Sequence, residues 1–563
     1  MALTTGRRPG PRAQGGQRFR LSCYGRSADS NLGARVERLS SSRRYNAHGN
    51  VFTAEEIARA TGGEVLAPGS PGSIVSNSRG IREGQNCWFL ALKGKRLDGR
   101  DFIPEAVRIG SCCGVVFETE EGEYGTAVSA AMQAVEEESK GLVLVQGRSD
   151  SSDRGDGTAS LHGLARLVRG RFEGQVVGIT GSCGKTTTRT MISHLLRALQ
   201  GDETVHETEG NMNNLIGLPQ TLLKLPPEAS YCVLELGMSV FGEIQQLQAI
   251  CQPSVRVVTN VGLAHLEGVG GTIQGVAKAK AELVSSAKRG DTCVLNMDDS
   301  NVAAMRPPDG VDCVYFGHGT DCQVRILNAV ACGERGMSTR FALKIADKGV
   351  VDVEVCQPGA KQVSANAAAA VATILALKGV DFDLPQLSRA LSTYVPSQEG
   401  RATVREYSLN KGTSLAFTVI DDTYNANPTS VEAALEMLAE SGGGEEVCDD
   451  DDDYASPRKH VALGDMLELG GSATKQHLSI LRLCVQYLKE DKVHSVGLVG
   501  PCFAKELESW EEDRDKVKSK VIWAQDAESL AQKMIPCFGD GDVVLVKGSR
   551  SMRMETFLNF LGS

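Results

Sequence analysis

A chain of 563 residues exceeds what one hydrophobic core holds, and it is read here as three folded domains. Hydrophobic residues make up 41% and charged residues 23%, and no apolar run approaches the roughly 20 residues that cross a bilayer, so the sequence predicts a globular protein without a membrane span. A net charge of −10 argues against a nucleic-acid groove, and sixteen cysteines without one CxxC pair argue against a zinc site or a disulfide-stapled module.

The first 48 residues stand apart as a leader. Residues 1–50 hold ten arginines, no lysine and only two acids, Asp29 and Glu37, with serines at 40, 41 and 42. That composition is typical of an organelle transit peptide; a tail with no address is the alternative. VFTAEEIARATGG then predicts a short helix closed by glycine, and NCWFLALKGKRLDGRDFI and CCGVVFE predict short strands with turns. The polar QGRSDSSDRGDGTAS (146–160) reads as a surface loop.

A helix in LHGLARLVRG leads to a buried strand, QVVGIT, after which YCVLELG, SVRVVTNVG and DTCVLNMDD alternate with helical stretches such as GVAKAKAELVSSA. A second series runs through LAFTVIDD, KHVALGDM, HSVGLVG and DVVLVKGS. Continuous apolar strands between helices predict an α/β fold with mainly parallel sheets covered on both faces. The expected domains are 49–160, 161–395 and 396–563. The acidic SGGGEEVCDDDDDYASPR (441–458) reads as a solvated insertion in the last, with a cation site as the alternative.

The chemistry centres on GITGSCGKTTTRT (178–190), between the strand QVVGIT and a helix marked by Met191, Ile192, Leu195, Leu196 and Leu199. A glycine-rich turn at a helix N-terminus offers free N–H groups and a favourable dipole to an anion. Gly181 and Gly184 let the backbone approach phosphates, Lys185 supplies a point charge, and Thr186 or Thr187 can offer a hydroxyl to Mg²⁺. Ligands of open α/β sheets bind at the carboxyl ends of strands, where Glu235, Asn260, Asn296, Asp298 and Asp299 fall, with His265 and Glu267 just beyond. Glu235 is the first metal candidate, and His265 is either functional or a satisfied structural histidine.

The motifs GITGSCGKTTT, GNMNNLIGLP, ELGMSVFGEI, NVGLAHLEGVGG, AKAKAELV, LNMDD, DDTYNANPTS, LGDMLELG and VKGSRSMRME follow one another in an order that resembles the Mur ligase family over roughly residues 50–563. DDTYNANPTS and GDMLELG resemble the branch of that family that adds a D-alanyl-D-alanine dipeptide. The resemblance implies a small UDP-binding domain, a central ATPase domain and a Rossmann-like C-terminal domain. It implies ATP on Thr180, Gly181, Ser182, Cys183, Gly184, Lys185, Thr186 and Thr187, and Mg²⁺, two ions expected, near Thr186, Glu235 and His265. Lys280 aligns with a lysine that the family carbamylates with CO₂ to ligate the second ion; a surface lysine is the alternative from spacing alone. Lys185, Glu235, His265 and Lys280 are thus the expected catalytic group.

By the same resemblance Asn296, Asn366, Arg401 and Asp422 lie toward the nucleotide. Asn213 and Asn214 lie at the muramoyl substrate, and Tyr424, Asn425, Asn427, Lys547, Gly548 and Ser549 lie in segments typical of this branch. Ser78, Arg79, Lys93, Gly94 and Asp98 match the residues that grip UDP. The implied substrates are a UDP-muramoyl tripeptide and D-Ala-D-Ala, the implied intermediate is an acyl phosphate, and a monomer is expected. A peptidoglycan-type enzyme with this leader points to a plastid, with mitochondrion or cytoplasm as alternatives.

Four positions depart from the family pattern. Asn77 replaces an aspartate, Arg100 a histidine, and Gln362 and Val363 a His-Asn pair near the adenine. These departures motivate a catalytically silent binding protein as an alternative reading. A folylpolyglutamate- or cyanophycin-type ligase is another, which DDTYNANPTS opposes.

Overall fold

The computed structural model describes residues 50–94, 96–119, 126–146, 156–396, 398–410, 414–441, 457–510 and 519–562. The expected leader, and residues 442–456 of the acidic insertion, lie outside them. Three sheets organise the described residues.

The amino-terminal sheet runs in the order Glu64–Ala67, Gly141–Gln146, Cys112–Thr119, Cys87–Leu90 and Ser73–Val75, with only the first strand antiparallel. Thr53 and Glu56 form a capping box on helix Ala54–Thr61, and Gly62 ends it at φ +73°, the left-handed turn a glycine makes at little cost. Glu118, at the end of the third strand in that order, accepts bonds from Gly157 N, Ser160 N and Ser160 Oγ, and so ties the first turn of helix Thr158–Arg171 to this sheet.

The central sheet has nine strands, in spatial order Gly349–Val355, Ser338–Ile345, Val324–Cys332, Asp312–Gly317, Thr292–Asn296, Val255–Val258, Gln175–Thr180, Tyr231–Glu235 and Val205–Glu207. The last seven are parallel, as their continuous apolar runs predict. The first three form an antiparallel meander that the strand–helix alternation did not announce. Its outermost strand, Gly349–Val355, is buried on alternate residues, so one face meets solvent.

Strand Gln175–Thr180 is flanked by Tyr231–Glu235 on one side and Val255–Val258 on the other. The winding therefore reverses at this strand, and a crevice opens at its carboxyl end. The helix that follows, Lys185–Gln200, buries Met191, Ile192, Leu195 and Leu196 against Val177, Ile179 and the alanine-rich helix Ala360–Ala376. Four such side chains contribute about 2 kcal/mol each, which anchors the helix whose first residues face the crevice.

The carboxy-terminal sheet is ordered Thr403–Asn410, Ser414–Asp422, Val543–Lys547, Lys459–Gly464, Ser495–Val499 and Val521–Ala524, parallel except for the first strand. Asp422 and Lys547 are register partners at adjoining strand ends. The fourteen described cysteines are all free thiols, nine of them buried, as the scattered spacing predicts.

Candidate active site

The loop Gly181–Gly184 sits in the crevice, and its shape requires its glycines. Gly184 has φ +79°, and a Cβ there would come 2.3 Å from Asn366 Oδ1; at Gly181 a Cβ would come 1.9 Å from Thr259 Oγ1. The following helix makes its first internal bond from Thr188 N to Gly184 O, which leaves the N–H groups of Lys185, Thr186 and Thr187 without an acceptor in the helix. Those groups and the dipole make this end a receptor for phosphate.

The neighbouring strand holds the loop in place. Asn260 Oδ1 accepts from Ser182 N (3.1 Å) and Cys183 N (2.9 Å), while its Nδ2 donates to Cys183 O (3.0 Å). Thr259 Oγ1 donates to Cys183 O at 2.7 Å, and Ser182 Oγ donates to Gly262 O at 3.0 Å. Thr180 Oγ1 donates to Leu236 O on the other side. Asn296 Nδ2 donates to Thr259 O at 2.8 Å, one residue removed from the loop.

Three ionisable side chains converge beneath it. Lys185 Nζ donates to Gly181 O at 2.6 Å; burial holds its amine below the usual lysine range, against the opposing pull of Glu235. Glu235, buried at the end of its strand, accepts from Arg189 Nε at 2.9 Å on Oε1 and from Asn213 Nδ2 at 3.4 Å on Oε2. Lys280, on helix Ile273–Ser285, is 2% exposed and has no hydrogen-bond or ion-pair partner among the described residues. Burial, with the charge of Lys185 adding to it, pushes its amine well below the usual lysine range.

The carboxy-terminal sheet roofs the loop. Lys547 Nζ donates to Asp422 Oδ2 (2.6 Å) and Asn425 O (2.9 Å); burial pushes the Asp422 carboxyl up, against Lys547. Asn427 caps helix Pro428–Glu440 through Ser430 N, and the same Oδ1 lies 3.7 Å from Cys183 Sγ. Thr429 Oγ1 accepts from Leu263 N at 3.0 Å. Arg401 stacks over Tyr424 with its guanidinium carbon 4.1 Å from the ring centre. Ser549 joins these segments, since its Oγ donates to Ala426 O and accepts from Leu467 N, and Gly548 lies so close to Met554 and Gly464 that a Cβ would clash. Strand ends of two sheets thus enclose a glycine-rich loop with a row of amines.

Two family models match this chain, the Mur ligase middle domain over residues 179–374 and the Mur ligase glutamate ligase domain over 410–550. The UDP-N-acetylmuramoyl-tripeptide–D-alanyl-D-alanine ligase of Mycobacterium tuberculosis (strain ATCC 25618 / H37Rv) is 33% identical over 452 residues, 77% of this chain and 81% of that protein. The chain belongs to the Mur ligase family. The ligase of the same name from Bacillus subtilis is 29% identical over 521 residues, 90% of this Mur ligase and 98% of the relative. Among solved structures, MurF from Acinetobacter baumannii aligns with TM-score 0.72 at 26% identity, covering 91% of this chain and 99% of that one. MurF from Thermotoga maritima in complex with ADP aligns with TM-score 0.65 at 28% identity, covering 87% and 96%.

The remaining expected site residues of this Mur ligase fall in two further places. His265, in the left-handed region at φ +54°, meets Glu468, whose Oε2 lies 2.6 Å from its Nδ1, within ion-pair range but off the line of a good hydrogen bond. Asn214 Oδ1 accepts from Ile216 N and Gly217 N at the entrance to the short helix Gly217–Leu223. Ser78, Arg79, Lys93, Gly94 and Asp98 gather in two turns of the amino-terminal sheet, linked to the central lobe by Gln220 Nε2 donating to Ser76 Oγ at 2.6 Å.

Three of the family departures have local explanations. Asn77 caps the turn Ser78–Gly80 by accepting from Arg79 N, a task an aspartate does equally well. Arg100 forms an ion pair with Asp98 at 2.7 Å. Val363 is buried in the central core, so an apolar side chain suits its place. Nothing in the structure explains Gln362.

Asn260 and Arg189 are the residues that sequence reasoning missed as site members. Asn260 stands at a strand end, which marks it as a polar position near the crevice without giving it a role. Arg189 gave no signal, because an arginine on an amphipathic helix looks like any solvated one. A second cluster, Asp465, His477 and Cys502, has its ligand atoms within 4.8 Å of one another. Its groups serve the backbone: Asp465 accepts from Cys502 N and Phe503 N at a helix start, and His477 Nε2 accepts from Met466 N. It is a capping knot.

Proposed function

We propose that this Mur ligase joins D-alanyl-D-alanine to the free carboxylate of a UDP-N-acetylmuramoyl tripeptide and converts ATP to ADP and phosphate. The relatives named above carry that activity in their names. One observation carries the reading: the central phosphate loop is roofed by Asn427 and Thr429, from the segment typical of the dipeptide-adding branch, with the Asp422–Lys547 pair beside it. A nucleotide on the loop would meet both lobes at once.

The γ-phosphoryl group passes to the tripeptide carboxylate, giving an acyl phosphate. The dipeptide amine attacks its carbonyl carbon, and the tetrahedral intermediate expels phosphate and leaves an amide. Positioning and neutralisation of phosphoryl oxygens do most of this work. The free N–H groups after Gly184 and the amine of Lys185 hold the phosphates, and Asn260 keeps the loop in the receiving shape.

Bound Mg²⁺ would neutralise charge on the transferring oxygens. The residues present fit it: the Thr186 hydroxyl has no hydrogen-bond partner among the described residues, and Glu235 Oε2 has only its long contact with Asn213. Hydroxyl and carboxylate oxygens suit this hard cation, with His265 as a third candidate. Lys280 is read as the carbamylated lysine. Addition of its neutral amine to CO₂, with loss of one proton, turns a partnerless buried amine into an anion beside Lys185, able to help hold a second ion. The arginine-rich leader supports import into a plastid, and the protein is taken as a monomer.

Phosphate release from residues 49–563 with ATP, Mg²⁺, UDP-muramoyl tripeptide and D-Ala-D-Ala tests the activity. Release that does not need the dipeptide, or that accepts glutamate in its place, sinks the reading. A fluorescent protein fused behind residues 1–48 tests the address, and cytosolic fluorescence removes the plastid.

A further inference from the structure

Helix Lys185–Gln200 carries a second functional cation one turn beyond Lys185. Positions 185 and 189 share a helix face, so the residue after the three threonines also points toward the end of strand Tyr231–Glu235. Arg189 is 3% exposed, and its guanidinium lies between two carboxylates, with Nε on Glu235 Oε1 at 2.9 Å and Nη1 on Glu207 Oε2 at 2.5 Å. Arg197 Nη2 holds the other oxygen of Glu207 at 2.8 Å. The four side chains form an alternating ladder, Arg197–Glu207–Arg189–Glu235, that runs from the surface to the phosphate loop.

Burying such a ladder costs more than packing apolar side chains of the same size, so stability alone gives little reason for it. Its asymmetry at the inner end is informative. Arg189 occupies one oxygen of Glu235, Thr208 Oγ1 fixes the Glu235 backbone by accepting from its N–H at 3.0 Å, and Oε2 is left with one long contact. We propose that Arg189 is a positioning residue that clamps Glu235 Oε1 so that Oε2 is presented to Mg²⁺, which makes the phosphate-binding helix also the support of the metal ligand. This rests on the reading of Glu235 as a Mg²⁺ ligand.

The test is a double-mutant cycle on Mg²⁺ binding to the ADP-loaded protein, followed by calorimetry without turnover. Arg189→Met weakens Mg²⁺ by about 10- to 100-fold, the range seen when supporting partners of metal ligands are removed. In an E235Q background the same substitution adds little. Arg189→Lys recovers part of the loss, because it restores the charge but not the Nε–H. If R189M is unfolded by circular dichroism, R189K alone is read in both backgrounds, and it must weaken Mg²⁺ only where Glu235 is present. Equal losses in the two backgrounds, or no loss, overturn the proposal. If E235Q itself leaves Mg²⁺ binding unchanged, the metal reading of Glu235 fails instead.

Discussion

His265 and Glu468 meet at 2.6 Å across the central and carboxy-terminal lobes, and both hold left-handed backbone angles, φ +54° and +62°. Non-glycine residues adopt that conformation only where surroundings enforce it. Beside them, Gly470 lies so close to Glu267 that a Cβ would come within 3.1 Å of its side chain. Two turns with left-handed backbone therefore meet edge to edge, one from each lobe.

Glu468→Ala removes that tie. The carboxylate is largely exposed, so the pair is worth less than about 1 kcal/mol and global unfolding barely changes. The expected result is a closed population reduced by up to about fivefold, read as a larger radius of gyration in X-ray scattering and a proportional fall in kcat/KM for the dipeptide. Unchanged scattering and rates would show that the contact does not govern closure.

Asn260→Ala leaves Cys183 N without its acceptor and takes one of two partners each from Ser182 N and Cys183 O. Loop misplacement of about 1 Å is expected to lower kcat/KM for ATP by about 10²-fold, with little change in circular dichroism. Nucleotide binding by calorimetry should weaken in step.

Lys280→Met separates function from stability. A buried amine without a counter-charge destabilises the fold, so replacing it by an apolar side chain of similar length keeps or raises Tm. Turnover falls below about 1% of the parent and is at most partly restored by added short carboxylates. A lowered Tm would mean that Lys280 is paired with an anion or carbamylated in solution.

A pH-linked term lies far from the site. Burial pushes the Asp542 carboxyl up, but bonds from His460, Gly539 N and Arg458 outweigh it and hold the group below the ordinary carboxylate value. Because its pKa is depressed in the folded state, the stability it contributes is present above the unfolded value of about 3.9 and is lost as pH falls through the folded value. Asp542→Asn should cost roughly 3 kcal/mol at pH 7 and flatten the loss of stability below about pH 4, measured by urea unfolding. Ser495, His460 and Asp542 line up like a hydrolytic triad, yet all three are buried at the amino ends of their strands, opposite Asp422 and Lys547.

Much of this architecture is legible in local chemistry. Runs such as QVVGIT and DVVLVKGS are apolar on both faces because helices cover both faces, and glycine and threonine at 181–187 mark a turn into a helix. The meander 324–355 leaves no such mark, because its strands are antiparallel and no α-helix intervenes between them. Contacts such as Cys183–Asn427, 244 residues apart, leave no trace in any window of sequence, and only the resemblance to a family placed both segments at one site. Arg189 escaped even that, since its meaning depends on two carboxylates brought in by other strands.

Asn427 caps its own helix and touches Cys183, which stands just before another helix start. Two helices therefore aim their amino ends at one small volume, lined also by Lys185, Lys547 and Arg401. In a protein of net charge −10 these helix ends and cations, set against the carboxylates Asp422 and Glu235, leave a local excess of positive potential, and bringing the lobes together does work against it. A polyphosphate between them reverses the sign of that work. The nucleotide is then mortar as well as reactant, and each turnover that consumes it loosens the wall it helped to hold.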